Sequence, residues 1–128
     1  MRALLAAAVW ATTAAAHGAC PPTPADGTVL TKDGVRLAWR VEQSPVVQGR
    51  PFALLLTVCP MQALLTAVDA TMPEHRHGMN YRPTLQPLGE GRWRAEGLLW
   101  HMSGRWQLRF DVHHQDRTQT LRQDVLLP

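Results

Sequence analysis

The chain has only two cysteines, no block of charge of one sign and no apolar run long enough to span a bilayer comfortably. Each scarcity narrows the reading. With two thiols, Cys20 and Cys59 form the only possible pair. The formal net charge of +3 is spread over basic residues scattered among acidic ones, so a nucleic-acid partner is not suggested. There is no Gly-x-Ser-x-Gly elbow, no glycine-rich phosphate loop and no free thiol to expect, so the reading is a protein that is not an enzyme. Nor does any stretch show a convincing helical period, which leaves strands to build the core.

What is present begins with an apolar run from Ala3 to Ala16 behind the basic start Met1-Arg2. Its small-residue end, Ala14-Ala15-Ala16, reads as a secretory signal peptide over residues 1–16, with cleavage before His17. A periplasmic or secreted location follows. There the two cysteines meet oxidising conditions, so a Cys20–Cys59 disulfide is expected, constraining the unfolded chain by roughly 3 to 4 kcal/mol. Gly18-Ala19-Cys20 also permits a second processing route, a lipoprotein anchored through Cys20, which would leave Cys59 unpaired.

The rest is one domain, and the apolar fraction of the whole chain, 45%, is ordinary. Residues 17–28 form a Pro-rich lead-in, and 29–128 carry alternating segments separated by turn residues. Val35 to Val41 alternates with Trp39 in the apolar set, and Thr31-Lys32-Asp33-Gly34 reads as a turn across which Val29 to Thr31 pairs with it. Phe52 to Val58 is apolar at nearly every position, as expected of a central strand. Leu64 to Asp69 follows, and Thr84 to Leu88 is an edge strand or loop because Pro83 and Pro87 lack donors. Arg92 to Glu96 alternates until Gly97 breaks the parity, which predicts a bulge there. Arg105 to Val112 is the clearest strand, with Trp106, Leu108, Phe110 and Val112 inward, and a last strand carries Leu121, Val125 and Leu127. About seven short strands predict an all-β, immunoglobulin-like antiparallel sandwich.

The chemistry-bearing residues cluster. Met72, His75, His77, Met79, His101 and Met102 fall into two short segments. His75 and His77 alternate as on one side of an extended chain, with Gly78 permitting a turn before Met79. Thioether sulfur is soft and neutral and prefers Cu(I), while imidazole suits both copper states, so the set points to a copper ion, Cu(I) favoured. His101-Met102 stands at a strand end and completes the site if its loop meets the first. The competing reading makes Met72 and Met102 core filler, and His75 and His77 solvated or packed around Arg76 and Tyr81. His17, if it is the mature N-terminus, offers an amine and an imidazole for Cu(II). His113 and His114 are neighbours on a strand, so they point to opposite faces and are surface residues. Asp69 and Glu74 flank the segment, but their spacing does not make an acid/base pair.

The run Asp69 to Met79, with Met-Pro and His-Gly-Met, is followed by Gly91-Arg92-Trp93 and by Met102-Ser103-Gly104-Arg105-Trp106. Together these resemble the YtkA/FixH-like family of exported β-sandwich domains over roughly Leu37 to Val112. The resemblance implies a metal-handling or accessory role beside a membrane or respiratory-chain maturation protein. The Met79-to-His101 spacing is also similar to that of periplasmic His/Met copper chaperones. The match is partial, because His101 and Met102 are adjacent and position 68 is Val. Copper-resistance proteins of the CopC type resemble the chain in an N-terminal His, without matching further ligands. The leading expectation is thus a copper-binding domain without catalysis, and the alternative is a non-metal accessory or assembly module of the same fold.

Overall fold

The computed structural model describes residues 20–24 and 26–128. The expected signal peptide and His17 lie outside the described residues, as does most of the lead-in up to Cys20. The described chain is all-β, with nine strands: β1 (Thr28–Lys32), β2 (Val35–Val41), β3 (Pro51–Cys59), β4 (Leu64–Met72), β5 (His77–Gly78), β6 (Thr84–Gly89), β7 (Arg92–Leu99), β8 (Gly104–His114) and β9 (Arg117–Leu127). They form two antiparallel sheets, ordered β1-β2-β3-β7-β6 and β5-β4-β8-β9. Without the edge strands β1 and β5, the orders β2-β3-β7-β6 and β4-β8-β9 follow the ABED and CFG arrangement of a constant-type immunoglobulin sandwich. The two added strands account for nine where about seven are expected.

Period-2 patterning explains most of the elements. In β8, Trp106, Leu108, Phe110 and Val112 are fully buried, while Arg109 between them faces out. Across the sandwich, Trp39 of β2 meets Phe110 with ring centroids 6.1 Å apart. β3 lies in the middle of its sheet with Leu54, Leu56 and Val58 buried inward, and Leu55 sits half-buried on the outer face in a groove with Pro22, Pro24 and Trp93. The lead-in therefore lines the outer side of the most apolar strand. β6 is an edge strand, as its prolines require. The bulge falls where the parity breaks: the β3–β7 register shifts between Phe52 and Ala53, opposite Leu98 and Glu96, with Gly97 left over at φ 90°.

One expectation is adjusted. β4 runs on past Asp69 to Met72, because Asp69 faces out and Ala70 and Met72 return to the buried side after a register shift between Leu65 and Ala67. Cys20 and Cys59 form a disulfide with Cα atoms 5.2 Å apart, within the usual span, and it ties the lead-in to the end of β3. Lipid attachment at Cys20 is incompatible with that bond. No helix among the described residues is long and apolar enough to cross a membrane.

Candidate functional site

Strand order decides which loops meet. In this sandwich the β2–β3 connection (residues 42–50), the β4–β6 segment (73–83, containing β5) and the β7–β8 connection (100–103) emerge at one end. Hydrogen bonds lace the first to the third. Gly49 N donates to the Trp100 carbonyl (2.8 Å), Gln48 Nε2 donates to the His101 carbonyl (3.1 Å), and Ser103 Oγ donates to Gln48 Oε1 (3.0 Å). The histidine segments, about 25 residues apart in the chain, share this end.

The 73–79 segment folds back on β4. His75 N donates to the Met72 carbonyl (3.1 Å), and Arg76 takes the turn at φ 53°, two residues before the glycine expected to do so. Gly78 serves close approach instead: a Cβ there would lie 3.1 Å from the Ala70 carbonyl oxygen. β5 then pairs His77 with Met72 and Gly78 with Thr71, and Met79 N donates to the Ala70 carbonyl (3.3 Å). Paired residues point to the same face of a sheet, so His77 shares the inward side with Met72. A charge tether secures the segment from outside. Arg105 of β8 donates to Glu74 (3.1 Å) and to Asp124 of β9 (2.9 Å). These carboxylates, Glu74 foremost, raise the Arg105 pKa, while Gln107 and Arg105 hold Asp124 below its ordinary value.

The three imidazoles form a row. The ring centroids of His75 and His77 are 5.7 Å apart and those of His77 and His101 are 5.3 Å apart, with planes tilted by 31° and 33°. The row runs inward: His75 and His77 are exposed, and His101 is half-buried with its ring edge-on to the buried Trp106 at 5.6 Å. Trp106 is itself fixed by stacking on Trp100 (5.5 Å, 4°) and by donating Nε1 to the Met102 carbonyl (2.9 Å). His101 Nδ1 is buried and has no protein hydrogen-bond partner. A buried ring nitrogen left so costs free energy unless something else engages it.

The methionines divide. Met72 is 1% exposed and belongs to the core, where its Cε would stand 3.0 Å from a Cβ at position 104. Met79 and Met102 are half-buried and packed against the core. Among the described residues no group of three or more His, Cys, Asp or Glu side chains is placed to hold a metal ion. Adjacent imidazoles therefore come as pairs. The residues that hold this arrangement without being foreseen are Gln48, Ser103 and Arg105. Gln48 lies in a connector with no pattern, and Arg105 reads only as an outward strand position.

No family model matches the chain, and no curated protein matches it. Among solved structures, a DUF4785 family protein from Legionella pneumophila subsp. pneumophila str. Philadelphia 1 is similar, with 13% sequence identity and a TM-score of 0.48. The similarity covers 74% of this chain and 28% of that one, so the chain spans less than a third of that protein's length.

Proposed function

We propose that the protein is an exported copper-handling domain without catalytic activity, holding Cu(I) between His77 and His101 with a thioether of Met79 or Met102. The observation that carries this reading is the 5.3 Å approach of two imidazoles from different loops, one with a buried nitrogen that has no protein partner. Two imidazoles and a thioether form a neutral, soft set, suited to Cu(I) more than to calcium or magnesium, which take oxygen ligands. A structural zinc site would draw four ligands, commonly cysteines, and both cysteines here are in the disulfide. Met72 is left out of the ligand set because it fills the core.

The location proposed is the periplasm or outside the cell, where the Cys20–Cys59 bond persists. The resemblance to YtkA/FixH-like domains supports the same reading. It suggests a membrane or respiratory-chain maturation protein as the donor or acceptor of the ion. Titration of the purified, oxidised protein with Cu(I) against a competing chelator tests this. One site tighter than micromolar is expected, weakened by His101→Phe, and no site of that strength would overturn the reading. The second reading, an accessory or assembly module, draws on the lack of a three-ligand cluster among the described residues. It predicts that His75→Ala and His101→Ala alter stability only and leave metal content unchanged.

A further inference from the structure

Three histidines in a row raise a question that one two-histidine site leaves open, namely what His75 does. The metal-to-nitrogen distance is about 2.0 to 2.1 Å, which puts an imidazole centroid about 3.2 Å from the ion it binds. Two rings on one ion are then roughly 5 to 6.4 Å apart, as the angle at the metal opens from tetrahedral to linear. Both neighbouring separations, 5.7 Å for His75–His77 and 5.3 Å for His77–His101, fall in that interval. The three do not gather on one point. Each neighbouring pair is thus spaced as two imidazoles on one ion would be, with His77 common to both pairs.

The two pairs differ in surroundings. His75 and His77 are both exposed, on a turn closed by one backbone bond to Met72 and held from outside by Glu74. His101 is half-buried against Trp106, and Met79 and Met102, close to His77 and His101 in the chain, are half-buried against the core. An incoming ion meets the outer pair first, while the inner pair includes the half-buried His101, whose lower solvent exposure slows its release. We infer that His75–His77 is an entry seat and His77–His101 a holding seat, the ion passing inward by exchanging His75 for His101 while His77 stays bound. No electron or covalent bond within the protein changes in this step. Because His77 is shared, the two seats are not filled together. This inference rests on the copper reading above.

The experiment is Cu(I) supplied as a complex with a coloured chelator to the oxidised full chain, with uptake rate and equilibrium affinity measured separately. His75→Ala is expected to slow uptake about tenfold while leaving the affinity within about threefold, since the holding pair is intact. His101→Phe keeps a ring against Trp106 and removes the nitrogen ligands. It should keep fast uptake and lose affinity roughly tenfold or more, and His77→Ala should lose both. The unaltered protein should take up one equivalent. Wild-type uptake rate in His75→Ala, an equal loss of affinity in His75→Ala and His101→Phe, or two tight equivalents would each overturn the two-seat inference. Failure of the unaltered protein to bind Cu(I) would overturn the copper reading instead, so the two failures are distinguishable.

Discussion

The two ends of the sandwich carry histidines, yet only one gathers them. At the closed end three hairpins turn on two residues each, Asp33-Gly34, Glu90-Gly91 and Gln115-Asp116, all with positive φ, and the disulfide pins the lead-in beside them. Such turns match the twist of their strands and leave little chain to present a ligand. At the open end the connections at 42–50, 73–83 and 100–103 are longer; Gln48 and Ser103 bind the first to the third, and the second folds back on β4 through the two-residue strand β5. His113 and His114 stand near the first end, and His75, His77 and His101 at the second. The contrast teaches that connection length and strand order decide where side chains gather in this fold, while histidine count alone does not.

The largest effect expected from breaking this comparison lies at the closed end. Replacing both cysteines with serine reopens a loop whose ends are 39 residues apart and should cost about 4 kcal/mol of stability in the chain-entropy model. Urea denaturation measures it. Because the open end is held by its own contacts, the folded fraction should bind Cu(I) as before. Loss of copper affinity in protein shown to be folded would mean that the two ends are not independent.

Next in size is Met72, the one methionine of the segment that lies in the core. Met72→Ala should cost roughly 2 to 5 kcal/mol, as buried truncations do, and Met72→Leu under about 1.5 kcal/mol because volume is conserved. The leucine variant separates packing from ligation. It should keep the Cu(I) affinity of the unaltered protein, and a tenfold weakening at full folding would return Met72 to the ligand set.

Much of the architecture was readable along the chain because alternation is a local signal. Trp106, Leu108, Phe110 and Val112 declare a strand on their own, and Gly97 declares the break in one. Asp69 hid the last turn of alternation in β4, since a polar outward residue looks the same as a strand end. The site was half-readable. Residue types at 75–79 and 101–102 marked the candidate segments, but their meeting depends on which strands neighbour which, a property of pairings far apart in sequence. The division of the methionines was not readable either. Met72 and Met79 have the same side chain seven positions apart, and only the fold-back of β5 onto β4 sets one deep and the other at the rim.

A smaller effect is expected in acid at the open end. Glu42, where the β2–β3 connection begins, accepts two bonds from Arg94 of β7 at 2.9 and 2.8 Å, and this guanidinium lowers its pKa from the ordinary 4.5. A carboxylate with a lowered folded pKa stabilises fully above the unfolded value, and that contribution is lost as pH falls through the folded one. The urea midpoint should therefore drop as pH falls below the ordinary 4.5, and Glu42→Gln should show a shallower drop. An identical acid profile in the variant would remove Glu42 as a pH-dependent support of the open end.

The smallest expected effect is the most direct challenge to the comparison. Neighbouring positions on β8 point to opposite sides, so His113 and His114 cannot readily close on one ion from the strand itself. His113 Nδ1 lies 3.3 Å from the Thr118 hydroxyl, and His114 borders Asp33, Gln115 and Arg117 at the tight-turn end. Replacing both with alanine should leave Cu(I) affinity within about twofold, because ligands far from the site act on it only through stability. Stoichiometry should also stay at one equivalent. A tenfold loss, or one equivalent fewer than the unaltered protein, would put metal at the closed end and end the argument that long interlaced connections, and not histidine content, make the site.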